Sequence, residues 1–191
     1  APAPPAAHSL PACFATFARI HAAVASLPAL RRVVAEALAD FAADGVVHLE
    51  LRTTPKALPA CAAAANTSAE DYVRAVADEV AAFLALPSPP GRRGALSSVK
   101  LLLSIDRARG VEHFASVADL VLRLASEAAA DPASPLRVLA GVDFSGDPSR
   151  GLGVGIGDGG AFAAARPHLD AVRAAGLGVA VHAGEVGGAL G

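Results

Sequence analysis

Four short stretches of this 191-residue chain carry side chains able to bind or activate a polar substrate. His182-Ala-Gly-Glu185 sets an imidazole and a carboxylate three residues apart. A neutral imidazole is a good metal ligand, and a nearby glutamate can move a proton to or from activated water. The same residues also suit a strand-end histidine hydrogen-bonded to a loop carboxylate. Asp143-Phe-Ser-Gly-Asp147 reads first as an Asp/Gly turn, and its functional reading gives Gly146 a bare backbone N–H that a planar ligand can approach closely. Thr53-Thr54-Pro55-Lys56 offers hydroxyls, amides and an ammonium to a phosphate, or a simple capped turn. No GxxxxGK phosphate loop accompanies it. Asp106-Arg107 reads as a surface ion pair of little worth. The tract Gly151, Gly153, Gly155, Gly157 neither follows a strand directly nor carries the rest of a dinucleotide fingerprint.

These residues need elements to hold them, and the periodicity supplies alternating helices and strands. Phe14, Phe17, Ile20, His21 and Val24 recur at three- and four-residue spacing, which predicts a helix over 11–26 with one buried face. The first dozen residues, opening Ala-Pro-Ala-Pro-Pro, read as irregular. Pro28 suits a first helical turn, and a second amphipathic helix runs through Leu30, Val34, Leu38 and Phe41 to a glycine cap at Gly45. Strands are expected over 46–51, 99–105, 136–143 and 177–182. Helices are expected from Thr67 or Ser68 through Phe83, over 111–130 and over 161–175. Pro87 to Gly94 and Gly151 to Gly160 read as loops.

Short strands apolar on both sides, alternating with helices, argue for a parallel sheet. The polar stretches then fall at the C-terminal ends of four successive strands. A (β/α) barrel puts its site on that face, whereas an open doubly wound sheet concentrates it at one switch point. The expectation is one partial TIM-type (β/α) barrel domain over residues 1–191, with about four of eight strands.

The composition sets limits. Hydrophobic residues make up 53% and charged ones 18%, as in a globular protein, and the net charge of −2 gives no footprint for nucleic acid or an anionic membrane. No transmembrane span is expected, since apolar runs are short or broken by charge. Cys13 and Cys61 form no disulfide framework or CxxC pair, and with no signal peptide legible the cytoplasm is the expected compartment. There is no methionine, so the first residue is read as following a lost start.

Taken in order, His48-Leu-Glu-Leu-Arg-Thr-Thr-Pro-Lys56, Leu101-Leu-Leu-Ser-Ile-Asp-Arg107, Gly141-Val-Asp-Phe-Ser-Gly-Asp-Pro148 and Val181-His-Ala-Gly-Glu-Val186 resemble the adenosine deaminase superfamily. The first two look like its adenosine deaminase-like branch, which converts N6-methyl-AMP to IMP and methylamine. The resemblance runs from about Phe14 to Val186. It implies a one-zinc hydrolase, monomeric when intact, acting on a small purine nucleotide. His182 matches a zinc ligand, Glu185 the proton donor to the purine ring, and Gly146 the glycine that contacts the base. His21, Thr53, Thr54, Pro55, Lys56 and Asp106 resemble pocket positions, with Lys56 near the phosphate. The family's opening His-x-His strand and its later Asp-Asp pair are not matched, and one histidine cannot hold a catalytic zinc. The chain is therefore expected to be inactive by itself. The Cys-based deaminase signature, H-x-E together with P-C-x-x-C, is absent, since no P-C-x-x-C occurs.

Overall fold

The computed structural model describes residues 10–59, 67–86, 96–148 and 160–183. Helices α1 (Leu10–Ala23) and α2 (Leu27–Ala43) precede strand β1 (His48–Thr53). Then α3 (Ala69–Leu84), β2 (Ser98–Asp106), α4 (Val111–Ala130), β3 (Leu139–Ser145), α5 (Gly160–Ala174) and β4 (Gly178–Val181) alternate. Local chemistry explains the helix ends. Ser68 Oγ accepts from Asp71 N–H while the Asp71 carboxylate accepts from Ser68 N–H, a reciprocal cap on α3. Ser26 caps α2, and Gly45 just beyond it takes φ +85°. Residues 10–12 are helical, so the irregular segment expected over the first dozen residues does not extend that far; Pro11 sits in the first turn, where its missing N–H costs nothing. No single helix among the described residues is long and apolar enough to cross a membrane. The two loops expected around Gly94 and Gly151 lie outside the described residues.

All three strand pairs are parallel, in the order β1-β2-β3-β4. Every crossover therefore steps the same way along the sheet, as in a barrel. A doubly wound sheet would reverse direction at a switch point. The described residues form a four-stranded part of a (β/α) barrel.

The register sorts side chains by period two. One face holds Leu49, Leu51, Val99, Leu101, Leu103, Ile105, Val142 and Phe144, packed under Val73, Val76, Val80, Phe114, Val121, Leu124, Leu169 and Val172 of the helices. Burial of each such side chain stabilises by about 1.5–3 kcal/mol. The opposite face holds Glu50, Arg52, Lys100, Ser104, Asp106, Asp143 and Ser145. The inner, barrel-facing side is thus mostly polar, with Leu102 a buried aliphatic exception on it, which corrects the expectation of strands apolar on both sides. Ion pairs join neighbouring helices, Arg31 with Asp78 and Glu79 between α2 and α3, and Arg74 with Glu127 between α3 and α4.

A bulge lets this alternation hold across β3. Leu101 pairs with Leu139 but Leu102 with Gly141, leaving Ala140 extra and turning Asp143 and Ser145 inward. Gly141 absorbs the irregularity against β4: a Cβ there would lie 1.9 Å from the Gly178 carbonyl oxygen. Gly141→Ala is expected to destabilise the fold by at least about 1–3 kcal/mol, the cost of forcing atoms into filled space. A urea unfolding midpoint equal to that of the parent would show that β4 moves aside freely.

Candidate active site

The inner face ends in a cavity of about 680 Å³ at the C-terminal ends of the strands, roofed by α1 and α2. His21, Thr53, Thr54, Lys56, Asp106, Gly146 and His182 all line it. Pro55 is buried beside them. Glu185 lies outside the described residues. Residues from four strand ends and the first helix, far apart in the chain, thus converge on one space large enough for a small ligand.

Each wall has a local cause. Thr53 Oγ1 and Tyr72 Oη are hydrogen-bonded at 2.8 Å, tying the end of β1 to α3, and burial raises the Tyr72 phenol above its ordinary pKa. Lys56 Nζ donates to the His21 carbonyl at 2.8 Å, placing a cation at the C-terminal end of α1, where the helix dipole favours it. Partial burial holds its ammonium below the usual lysine range. One of its three donors is thus used to hold the roof over the site.

Asp106 and Arg107 do more than an exposed ion pair. Asp106 Oδ1 accepts from Ala108 N–H at 3.0 Å, capping a single 3-10 turn over Arg107–Arg109. Arg107 Nε donates to the Ser145 carbonyl at 3.2 Å and its Nη2 to the His182 carbonyl at 2.8 Å, with the guanidinium carbon 5.2 Å from the centre of the Phe144 ring. It clips the ends of β3 and β4 to β2. The surface-pair expectation is corrected accordingly.

Gly146 has a structural reason to be glycine. Its φ is +96°, and a Cβ would fall 2.1 Å from Asp106 Oδ1. The peptide is pressed against Asp106 while it lines the cavity.

His182 follows β4 directly, its N–H continuing the ladder to the Phe144 carbonyl at 2.9 Å. Its Nδ1 lies 2.9 Å from Asp143 Oδ1, and the other Asp143 oxygen accepts from Arg52 Nη1 at 3.3 Å. Arg52 Nη1 also contacts His182 Nε2. Asp143 is 1% exposed. The sequence sets Arg52 and Asp143 among the polar residues at the ends of predicted strands but gives neither of them a partner or a role. The signal that finds them is period two: Arg52 two residues after Glu50, and Asp143 two before Ser145, all on the inner face.

The face expected to be buried on α1 instead borders the cavity, with Phe17 48% and Ile20 54% exposed. Helical spacing marks an apolar stripe but does not say what covers it.

His113 sets the end of β2 from below, its Nε2 accepting from Asp106 N–H at 3.1 Å. Burial, then the positive charge of Arg109, pushes its pKa down to about 4, with Asp106 opposing. The ordinary value is 6.5, so the folded state favours the neutral ring. Its contribution to stability is complete above that value and falls as pH drops toward about 4. Melting temperature is expected to decline across this window, and His113→Gln, which keeps an acceptor, is expected to flatten part of the decline. An unchanged slope in the variant would assign the decline to other groups.

No family model matches the chain. Among curated proteins it is 36% identical over 176 residues to the adenosine deaminase-like protein of Drosophila melanogaster, covering 92% of this chain and 43% of that protein. It is 29% identical over 178 residues to the N6-methyl-AMP deaminase-L of Xenopus laevis, covering 93% and 43%. The Arabidopsis ADAL structure complexed with GMP superposes with a TM-score of 0.71 at 28% identity, over 95% of this chain and 46% of that one. Over nearly its whole length the chain is similar to adenosine deaminase-like proteins. The Arabidopsis N6-methyl-AMP deaminase structure gives the same TM-score of 0.71 over 95% of the chain and 47% of its own. The chain spans less than half the length of these relatives. Among the described residues no group of three or more His, Cys, Asp or Glu could hold a metal ion. His182 is one candidate ligand and, with the described residues alone, does not make a zinc site.

Proposed function

We propose that this chain forms part of the active site of a purine nucleotide deaminase, which hydrolyses N6-methyl-AMP to IMP and methylamine. The observation that carries the reading is the convergence of His182, Gly146, Asp106 and the Thr53–Lys56 segment on one cavity at the strand ends, in a chain similar to adenosine deaminase-like proteins over nearly its whole length. Lys56 supplies a positive charge suited to a phosphate, and the apolar wall of Phe14, Phe17 and Ile20 suits a flat ring or an N-methyl group. Gly146, whose backbone lines the cavity, would offer its N–H to the edge of the base. The solved relatives complexed with GMP and IMP support a purine nucleotide as the ligand class.

Zinc is proposed for the full-length protein only. There His182 would be one of its ligands, and the ion would supply an activated water for attack at C6 of the purine. Glu185 would deliver the proton to the ring. The 191-residue chain is expected not to turn over substrate by itself. The test is deamination of N6-methyl-AMP, AMP and adenosine, with metal content measured, by this chain and by the protein extended to its relatives' length. Turnover by the longer form, with N6-methyl-AMP preferred, supports the reading. A preference for adenosine would move the assignment to a nucleoside deaminase, and a folded longer form inactive on all three would end it.

A further inference from the structure

We infer that Asp143 is a positioning residue that fixes the tautomer of His182, with the ring proton on Nδ1 and Nε2 unprotonated. The inference rests on the reading of His182 as a site residue, but not on metal or substrate. Asp143 is an inner-face residue of β3, buried, with its Oδ1 2.9 Å from His182 Nδ1. An ionised carboxylate only accepts hydrogen bonds, so this contact requires the ring proton on Nδ1. Arg52 Nη1 lies against both ring nitrogens and so does not choose between them; the carboxylate does.

The carboxylate is held for this task. Its second oxygen takes Arg52 Nη1 at 3.3 Å, so Asp143 joins β1, β3 and the end of β4. The ring's backbone is held as well, by the ladder bond to Phe144 and by Arg107 on the His182 carbonyl. With the backbone and one ring nitrogen fixed, Nε2 points in a set direction. A histidine that serves as a metal ligand or base is ordinarily oriented in this way by a carboxylate on its other nitrogen.

The readout is the nitrogen spectrum of the imidazole in the metal-free full chain labelled with 15N-histidine, His182 being identified among the six histidines by the signal lost in His182→Gln. Wild type is expected to show a pyrrole-like Nδ1 and a pyridine-like Nε2. In Asp143→Asn the two signals are expected to exchange places, because the amide donates to Nδ1 where the carboxylate accepted, as an Asp→Asn change does beside a catalytic histidine. Arg52→Met is expected to keep the wild-type pattern. A protonated Nε2 in wild type overturns the inference, and this needs no variant to fold. An unchanged pattern in folded Asp143→Asn, or an exchange in Arg52→Met, overturns it too. If deamination proves absent while the tautomer is as stated, the proposed activity fails and the positioning role stands.

Discussion

Glu185→Gln, in the protein at its relatives' full length, is expected to lower kcat for deamination by about 100- to 10,000-fold, the range associated with loss of a general acid or base. Hydrolysis at C6 places negative charge on the purine ring as water adds, and a proton delivered to a ring nitrogen removes that charge. A carboxylic acid can deliver it. An amide of the same shape can hydrogen-bond the ring but has no proton to transfer. The interaction matters mainly in the transition state, so kcat and kcat/KM are expected to fall together while KM changes little. Circular dichroism and metal content are expected to match the parent. A variant that retains the parent kcat would remove Glu185 from the proton step and require another acid in the cavity.

Gly146→Ala is expected to destabilise the protein by about 1–3 kcal/mol and to weaken nucleotide binding at the same time. Two separate costs fall on this position. Its φ of +96° is one that an L side chain rarely adopts, and the added Cβ would meet Asp106 Oδ1 at 2.1 Å and Arg107 N at 3.2 Å. Asp106 must then leave its 3.0 Å contact with Ala108 N–H, so the 3-10 turn that carries Arg109 to the cavity loses its cap. The double variant Gly146→Ala with Asp106→Ala separates the costs, because it removes the carboxylate that the methyl would strike. Its loss of melting temperature is expected to be smaller than the sum of the two single losses, since neighbours in contact do not act independently. Strict additivity would assign the whole effect to backbone strain.

Much of the architecture was legible along the chain. The helix over Val111–Ala130 follows from the spacing of Phe114, Val117, Val121 and Leu124, and the start of α3 from Ser68 and Asp71. Such signals are local: a cap or an apolar stripe acts within one or two turns, so neighbouring residue types suffice to read it. Strand ends were less legible. β1 runs on through Arg52 and Thr53, and β3 starts at Leu139 after a 3-10 turn over Pro135–Val138, because pairing with the adjacent strand, rather than composition, sets where a strand begins and stops. The apolar stripe of α1 was visible but its surroundings were not. The same spacing fits a helix pressed on a core and one that roofs a cavity.

By itself the sequence determined the alternation of helices and strands, the four polar stretches at strand ends and the order in which they occur. These depend on near neighbours. Only the tertiary structure decided which face of the sheet points inward, that a bulge at Ala140 turns Asp143 to that face, and that Arg52 meets a histidine 130 residues away. The physical reason is register. A shift of one residue between parallel strands sends every side chain to the opposite face, and nothing local to Arg52, Asp143 or His182 specifies which alignment holds. The choice is made by burying the whole apolar face under α3, α4 and α5 at once, and the site on the other face is a consequence of that packing.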